Sequence, residues 1–336
     1  MKVLVTGGAG FMGSAMVRKL VKENHQVRVL DKLTYATGCS WDNLDGIEGI
    51  EKIQGDIGSM RDCVSATEGM EAVIHFAAES HVTRSEGEEA TRFFFRVNVD
   101  GTRNILQAST LRRIPRVTYI STDEVYGPIE TGYFKEGDKR WGDQQASSAY
   151  AKSKSKADDI AISYLGILPI AIVRPTNNFG PRQHPEKALP RWICRLLMGQ
   201  KIPVWGKGEQ IRDWLYVEDC CEAIYQLLSE GAEGVYNIGA NNQPEITNRR
   251  MAEMLVEIYG VAYDRIEFVP DPRPAHDFRY SVNTDKIFDQ GWSPRWSLKS
   301  ALEVTLDWYA KNRPWWERRI GEAETLYVGE EMKDGD

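Results

Sequence analysis

The sequence predicts an α/β fold, a Rossmann-type doubly wound parallel sheet with a smaller mixed α/β substrate-binding subdomain. Through the first half, short apolar runs alternate with stretches of helical spacing, the pattern of a parallel sheet covered by helices. The first of those runs leads straight into a glycine-rich turn and a helix. After Arg174 the pattern changes to shorter, Pro-rich stretches, which mark a second unit. The expected division is residues 1–175 plus about 211–240 for the dinucleotide-binding domain. About 176–210 and 241–320 form the substrate-binding subdomain, and 321–336 a tail.

Lys2 to Val5 reads as the first strand, followed by Thr6-Gly7-Gly8-Ala9-Gly10-Phe11-Met12-Gly13. Met16, Val17, Leu20 and Val21 then recur at helical spacing. Glycines at 7, 10 and 13 permit a tight turn, close approach of a pyrophosphate, and close packing of helix on strand. The amides at the helix start favour a phosphate charge. A second strand, Gln26 to Leu30, ends in Asp31. An acid there can accept both ribose hydroxyls and would repel a 2'-phosphate, so NAD is favoured over NADP. The competing reading of Asp31 is a surface turn acid.

A third strand, Glu51 to Gln54, precedes Asp56 and Ile57, where an adenine-contacting acid fits. Val73 to Phe76 makes a fourth strand and runs into Ala77-Ala78-Glu79-Ser80-His81. Small residues there let a cofactor lie against the backbone, while His81 also fits a structural loop. Asn98 to about Thr110 reads as a helix, and Val117, Tyr119 and Ile120 as the next buried strand. That strand ends in Ser121-Thr122-Asp123-Glu124-Val125-Tyr126-Gly127. Strand carboxyl ends face the ligand crevice in such a sheet. Two adjacent carboxylates beside a hydroxyl at that place suggest acid/base chemistry; a turn with solvated acids is the alternative.

Tyr150 and Lys154 lie four apart in the helical stretch Ser148 to Tyr164, so they face the same way. A nearby ammonium favours phenolate and suits Tyr150 to act as a base. Such a pair means little by itself; after a strand-terminal Thr and a glycine loop it is a strong signal.

Composition narrows the partners. The net charge of -7 argues against a nucleic-acid or anionic-membrane partner, because phosphate binding at scale needs a basic face. The five cysteines, odd in number and without a Cys-x-x-Cys pair, fit reduced thiols in a cytoplasmic protein and no metal site. Cys220-Cys221 reads as helix packing. No apolar run reaches membrane-spanning length, and the N-terminus enters a strand at once, so neither a membrane span nor a signal peptide is expected.

The segments TGGAGFMGS, HFAAESHV, STDEVYG, YAKSK, NNFGP, PEKALP, GEQIRDWLYVED, YNIG and HDFRY run in order from residue 1 to about residue 312. Together they resemble the nucleotide-sugar 4,6-dehydratases among the extended short-chain dehydrogenases/reductases, most closely the dTDP-glucose 4,6-dehydratase family. STDEVYG and RDWLYVED are the specific segments. The resemblance implies an NAD site at Gly7, Gly10, Phe11, Met12, Gly13, Asp31, Lys32, Thr34, Asp56, Ile57, Ala77 and Ala78, completed by Tyr150 and Lys154.

It also implies the chemistry. Tyr150 takes the sugar 4-hydroxyl proton as C4 is oxidised, Lys154 holds the nicotinamide ribose and tunes Tyr150, and Thr122 bonds the 4-oxygen. The ketone acidifies the C5 proton, Glu124 removes it, and Asp123 protonates the departing 6-hydroxyl. Hydride then returns to C6, giving a 4-keto-6-deoxy sugar. Those roles require the two acids' pKa values to be pushed apart, with Asp123 protonated when it acts.

Ser80, Thr122, Asn177, Lys187, Trp205, Arg212, Asn248, Arg273 and His276 are implied around a nucleoside-diphosphate hexose. Arg212 and Arg273 suit a diphosphate, which a guanidinium grips bidentately; a surface salt bridge is the alternative for each. Trp205 is placed to stack on the base, or else to pack in a core. Thr83, Arg182-Gln183-His184 and Ala275 depart from the family's usual residues.

A homodimer through the helices near Asn98 and Tyr150 is implied as well. Trp315 and Trp316 are expected to pack as a helix cap, and Gly329 to Asp336 to be disordered. The competing enzyme reading is a 4-epimerase or a UDP-glucuronate decarboxylase on the same scaffold. Epimerases need no acid pair after the Ser/Thr, and decarboxylases commonly carry Ser-Glu there. A binding protein that kept the fold and lost activity is the reading from another class.

Overall fold

The structure is a computed structural model, and it describes residues 1–80, 88–141, 148–271 and 278–331. Its main sheet contains β1 (Lys2–Thr6), β2 (Gln26–Asp31), β3 (Glu51–Gln54), β4 (Ala72–His75), β5 (Val117–Ile120), β6 (Ile170–Pro175) and, later in the chain, Gly234–Ile238. Four short strands precede that last one: β7 (Asn177–Phe179), β8 (Ile202–Trp205), β9 (Ile211–Arg212) and β10 (Trp214–Tyr216). Gly234–Ile238 is therefore β11, and β12 (Ile246–Thr247) and β13 (Ile266–Val269) follow.

Among the helices of the first half are α1 (Phe11–Lys22), α2 (Met60–Ala66), α3 (Glu88–Phe94), α4 (Gly101–Leu111) and α5 (Ala149–Ser163). The second half adds α6 (Ala188–Leu197), α7 (Val217–Glu230), α8 (Asn248–Tyr259), α9 (Asp285–Phe288), α10 (Leu298–Lys311) and α11 (Arg313–Glu331).

The sheet order is β11-β6-β5-β4-β1-β2-β3, parallel throughout. Because the chain winds outward from β1 in both directions, the crevice opens between β1 and β4, where the order reverses. Strands buried on both faces read as continuous apolar runs. Val3, Leu4 and Val5 are fully buried, and alternate residues enter different cores: Val3 and Val5 on one face, Leu4 on the other. β11 joins the edge beside β6, within the stretch of about 211–240 that the sequence assigns to the same unit as the first strands.

The second half is more regular than its Pro-rich reading. Three two-stranded sheets pair β7 with β10, β9 with β12, and β8 with β13. The helix α7 carries Cys220 and Cys221 fully into the core, as helix packing requires.

The predicted helix from Asn98 to about Thr110 begins earlier. Phe95–Asp100 is a π-helical segment, and α4 continues it to Leu111. Such segments are marks of functional sites. Gly101 lies where a Cβ would meet Ile57 Cδ1 at 2.5 Å, so glycine lets this helix pack close against the Ile57 side chain.

Ser148 caps α5 by accepting from Ala151 N at 3.1 Å, and Tyr164 ends it, matching the predicted limits. The other anchor of α5 is ionic. Arg174 and Asp158 are both fully buried, with Arg174 Nη2 donating to Asp158 Oδ2 at 2.6 Å. Arg174 Nη1 donates to Tyr126 Oη at 2.6 Å, and Tyr126 Oη donates to Asn237 Oδ1 at 2.8 Å. This network joins α5, β6, β11 and the segment after β5. Arg174→Ala would leave the Asp158 charge without its buried partner, with Arg140 at 2.9 Å its remaining ion pair among the described residues. Breaking a buried pair from one side costs about 3–5 kcal/mol, so the urea midpoint is expected to fall with m unchanged.

The helix α11 runs on through residues read as tail. Arg191 Nη2 and Arg195 Nη1 bond Glu324 Oε2 at 3.0 and 2.9 Å. Gly329 to Glu331, expected to be disordered, are helical because the stretch continues α11; residues 332–336 lie outside the described ones. Trp315 and Trp316 are buried inside this arrangement. Trp315 Nε1 donates to Asn43 Oδ1 at 3.0 Å, and Asn43 Nδ2 donates to Ala9 O at 2.8 Å. The C-terminal helix thus braces the glycine loop.

Candidate active site

The glycine loop meets its geometric demands. Gly7 has φ +69°, and a Cβ there would lie 2.6 Å from Ala77 N. A Cβ on Gly13 would lie 2.1 Å from Gly7 O, so α1 can pack onto the loop only without one. At Gly10 a Cβ would point into space met only by Gly7 O at 3.2 Å. The start of α1 has no side-chain cap and no acid in its first turn. Uncapped amides beside an open glycine face form an anion cradle, which fits a dinucleotide pyrophosphate.

Asp31 ends β2, with Oδ2 accepting from Ala9 N at 2.9 Å and Oδ1 from Leu33 N at 2.8 Å. Burial raises its pKa, and the amides of Leu33, Ala9 and Lys32 pull it back. Its oxygens keep further lone pairs for ribose hydroxyls. Lys32 Nζ is bound to Asp56 Oδ2 at 2.7 Å, and Asp56 Oδ1 accepts from Gly58 N at 2.8 Å. Thr34 O closes the turn after β2 by accepting from Thr37 N. Phe11 and Met12 open α1, and Ala77 and Ala78 follow β4, all half-buried.

Asn98, on the π segment, was not singled out from sequence. Its Nδ2 donates to Glu79 O at 3.0 Å and to Ser153 Oγ at 2.8 Å, and its Oδ1 accepts from Glu79 N at 2.7 Å. Asn98 therefore ties the loop after β4 to the helix that carries Tyr150. A helix residue with no unusual neighbours gives no sequence signal of this.

Beyond β5, Thr122 is extended and Asp123–Tyr126 form one 3-10 turn. Thr122 Oγ1 accepts from Glu124 N at 3.3 Å and donates to Asp123 Oδ1 at 3.3 Å. Asp123 is 4% exposed, whereas Glu124 is half-buried. Burial first, then the Glu124 charge, push the Asp123 carboxyl up to about 8; Asp213 adds to this, while Arg212 and the Thr122 bond oppose it. Asp123 is therefore a neutral acid at neutral pH. Asp213 lies in the RDWLYVED segment, yet the sequence reading gave it no role of its own.

Tyr150 faces this turn from the first full turn of α5. Burial raises its phenol well above the ordinary value, as do Glu124, Tyr119 and Asp123, with a Thr122 hydrogen bond opposing them. The expected lowering by Lys154 is absent from the protein alone. Lys154 Nζ is spent on Ile120 O at 2.8 Å and lies 5.0 Å from the Tyr119 ring centre. Burial lowers Lys154 to about 8, against the pull of Asp158 and Glu124. Thr122, Asp123, Glu124, Tyr150 and Lys154 thus converge at the carboxyl end of β5.

The substrate-side residues are spread around the neighbouring loops. Lys187 Nζ donates to Ser80 O at 2.7 Å, bridging the two halves. Arg212 ends β9, close enough for its charge to act on Asp123, and stands 4.7 Å from the Tyr280 ring centre. Asn248 N donates to Gln210 O at 2.9 Å at the start of α8. The Asn177 Oδ1 is buried without a hydrogen-bond partner among the described residues. Trp205 ends β8 and is half-buried. His81, Arg273 and His276 lie outside the described residues.

The profile of the NAD dependent epimerase/dehydratase family matches residues 3–239. The chain belongs to that family. Among its relatives is a dTDP-glucose 4,6-dehydratase of Streptomyces niveus, 40% identical over 94% of this chain and 95% of that protein. A low-salt glycan biosynthesis protein of Haloferax volcanii is 42% identical over 92% of this chain and 98% of that one. The crystal structure of DesIV, a dTDP-glucose 4,6-dehydratase from Streptomyces venezuelae with NAD bound, superposes with a TM-score of 0.86. It is 38% identical and covers 94% of this chain and 99% of its own. Among the described residues no helix is long and apolar enough to cross a membrane, and no group of three or more His, Cys, Asp or Glu could hold a metal ion.

Proposed function

We propose that this protein is an NAD-dependent nucleotide-sugar 4,6-dehydratase, a hydro-lyase converting dTDP-glucose to dTDP-4-keto-6-deoxyglucose. The observation that carries the reading is the acid pair: Asp123 neutral and Glu124 less buried, side by side on one turn facing Tyr150. Epimerisation at C4 has no use for such a pair, whereas dehydration needs both an acid and a base.

When bound, NAD supplies the hydride acceptor and donor. The chain's residues handle the protons and the binding. Tyr150 takes the proton of the sugar 4-hydroxyl, and Thr122 holds that oxygen through its hydroxyl. The Lys154 ammonium stabilises the phenolate that results. Oxidation at C4 makes the C5 proton acidic, and Glu124 removes it. Asp123 then gives its proton to the 6-oxygen as water departs. General acid–base steps of this kind contribute about 10²–10⁴-fold each. Ser80, Asn177, Lys187, Trp205, Arg212, Asn248, Arg273 and His276 are assigned to the nucleoside diphosphate and sugar, with Arg212 on the diphosphate.

The division into a dinucleotide domain and a substrate subdomain belongs to the same reading. So do a cytoplasmic location and a homodimer through α4 and α5, which sedimentation would check. The test of function is to incubate the protein with dTDP- and UDP-hexoses in parallel. A 4-keto-6-deoxy product from dTDP-glucose is expected, and an epimer alone would sink the reading.

A pH dependence follows from Asp123. A raised carboxyl keeps its proton in the folded enzyme above the usual carboxylate range, and that acid is lost as pH rises through about 8. The elimination rate is expected to hold below that pH and to fall about tenfold per pH unit above it. Lys154 also titrates near 8. Stopped-flow pH profiles of the wild type and Asp123→Asn separate them: an alkaline limb that persisted in the variant would belong to Lys154.

A further inference from the structure

A cationic cavity is lined by neither residue of the acid pair. It runs along one face of α1 (Ser14, Ala15, Arg18, Lys19, Lys22), closed by α7 and by the segment at Pro181 and Arg182. Its volume is about 170 Å³, and none of the residues assigned above to cofactor or substrate lines it. Four cations line it: Arg18, Lys19, Lys22 and Arg182. They face two carboxylates, Glu218 and Glu222.

One of those carboxylates is already neutralised, with Lys19 Nζ 2.7 Å from Glu222 Oε1. Lys19 also bonds Glu23 at 2.8 Å, so it belongs to the wall. Glu218 has Lys22 as its nearby cation, while burial and the neighbouring acids Asp219 and Glu222 favour its neutral form. The two arginines are left over. Among the described residues Arg18 Nε is buried without a hydrogen-bond partner, and only its Nη2 is engaged, on Asn43 O. Among the described residues the Arg182 guanidinium has no hydrogen-bond partner, and it stacks on the Trp308 ring at 5.1 Å. Arg182 is also held at φ +69°, a left-handed conformation that a side chain adopts at a cost.

Burial and the Arg182 charge depress Arg18, which places two guanidiniums in mutual repulsion with Asp45 as the nearby compensation for both. Two planar guanidiniums lining one concave site, one with its Nε unsatisfied and the other without a hydrogen bond among the described residues, match a tetrahedral oxyanion.

We propose that this cavity binds a phosphate-bearing anion, inorganic phosphate or a phosphomonoester, between Arg18 and Arg182. Burial of a dianion there satisfies Arg18 Nε and the free fork of Arg182 at once. The ligand is distinct from NAD and from the nucleotide sugar, so the site stands or falls independently of the dehydratase reading.

The test uses full-length protein saturated with NAD and dTDP, which occupies the other phosphate sites. Sodium phosphate and glucose 1-phosphate are titrated calorimetrically at constant ionic strength set with chloride. Saturable one-to-one binding is expected, weakened about tenfold or more in Arg18→Gln and in Arg182→Gln. Equal affinity for the two probes identifies inorganic phosphate as sufficient; tighter glucose 1-phosphate identifies a phosphomonoester. Arg18→Lys and Arg182→Lys, which keep the charge but lose the fork, provide further variants should either glutamine change prevent folding. No saturable binding, or binding unchanged in the folded variants, overturns the proposal.

Discussion

Asp123→Asn is expected to cut the keto-deoxy product about 10²–10⁴-fold while leaving the first oxidation intact. The substitution is close to neutral for the fold because Asp123 already carries its proton: burial and the Glu124 charge hold it at about 8. An amide of the same shape therefore replaces a neutral acid, and Asn Oδ1 can still accept the Thr122 hydroxyl, now at 3.3 Å. What is lost is a transferable proton at the 6-oxygen. Without it hydroxide would have to depart unassisted, so the enzyme stalls after C4 oxidation. Mixing the variant with dTDP-glucose should give a reduced-nicotinamide absorbance that rises at wild-type speed and then persists. If the signal decayed at the wild-type rate with normal product release, Asp123 would not be the acid.

The parts of this site that were legible in the sequence are those where one residue type has one physical reason to be present. Glycines at 7 and 13 are required by contacts of 2.6 and 2.1 Å that a Cβ would make, and a strand–glycine–helix order announces them. Asp31 was legible because it closes a strand, and the acid pair because it follows a buried apolar run. The parent sheet was equally visible, since strands buried on both faces read as unbroken apolar runs.

Other features depended on distant chain segments. Nothing around Asn98 tells that it bridges Glu79 and Ser153, residues 19 and 55 positions away. The Asp123 shift needs burial first, with Asp213 adding to it and Arg212 opposing it, and a local reading supplies none of these three. The Tyr150–Lys154 pair teaches the opposite lesson. Helical spacing does bring both to one site, yet the local rule that the ammonium acidifies the phenol fails in the protein alone. Lys154 is engaged by Ile120 O, and burial together with the Glu124 and Asp123 carboxyls raises the Tyr150 phenol. The α11 brace was illegible for a further reason: Trp315 and Asn43 are 272 positions apart.

Tyr150→Phe is expected to abolish both steps, lowering product formation about 10²–10⁴-fold with no reduced-nicotinamide signal before it. In the proposed mechanism the phenol accepts the 4-hydroxyl proton, since Thr122, its hydrogen-bonding neighbour, has no basic capacity of its own. Removing one oxygen leaves the ring, which packs edge-on to Phe94 at 6.4 Å, so folding should be little changed. The two variants then separate by where they stop. Asp123→Asn accumulates oxidised sugar, while Tyr150→Phe never forms it. The raised phenol in the protein alone adds a condition: Tyr150 has to become more acidic when the site is filled, because a base near neutral pH cannot keep so high a value. Titrating the phenolate by its ultraviolet difference spectrum, with and without NAD, should show a fall on cofactor binding in the wild type and no such component in Tyr150→Phe. A Tyr150→Phe enzyme with normal turnover would remove the base on which the whole proton sequence rests.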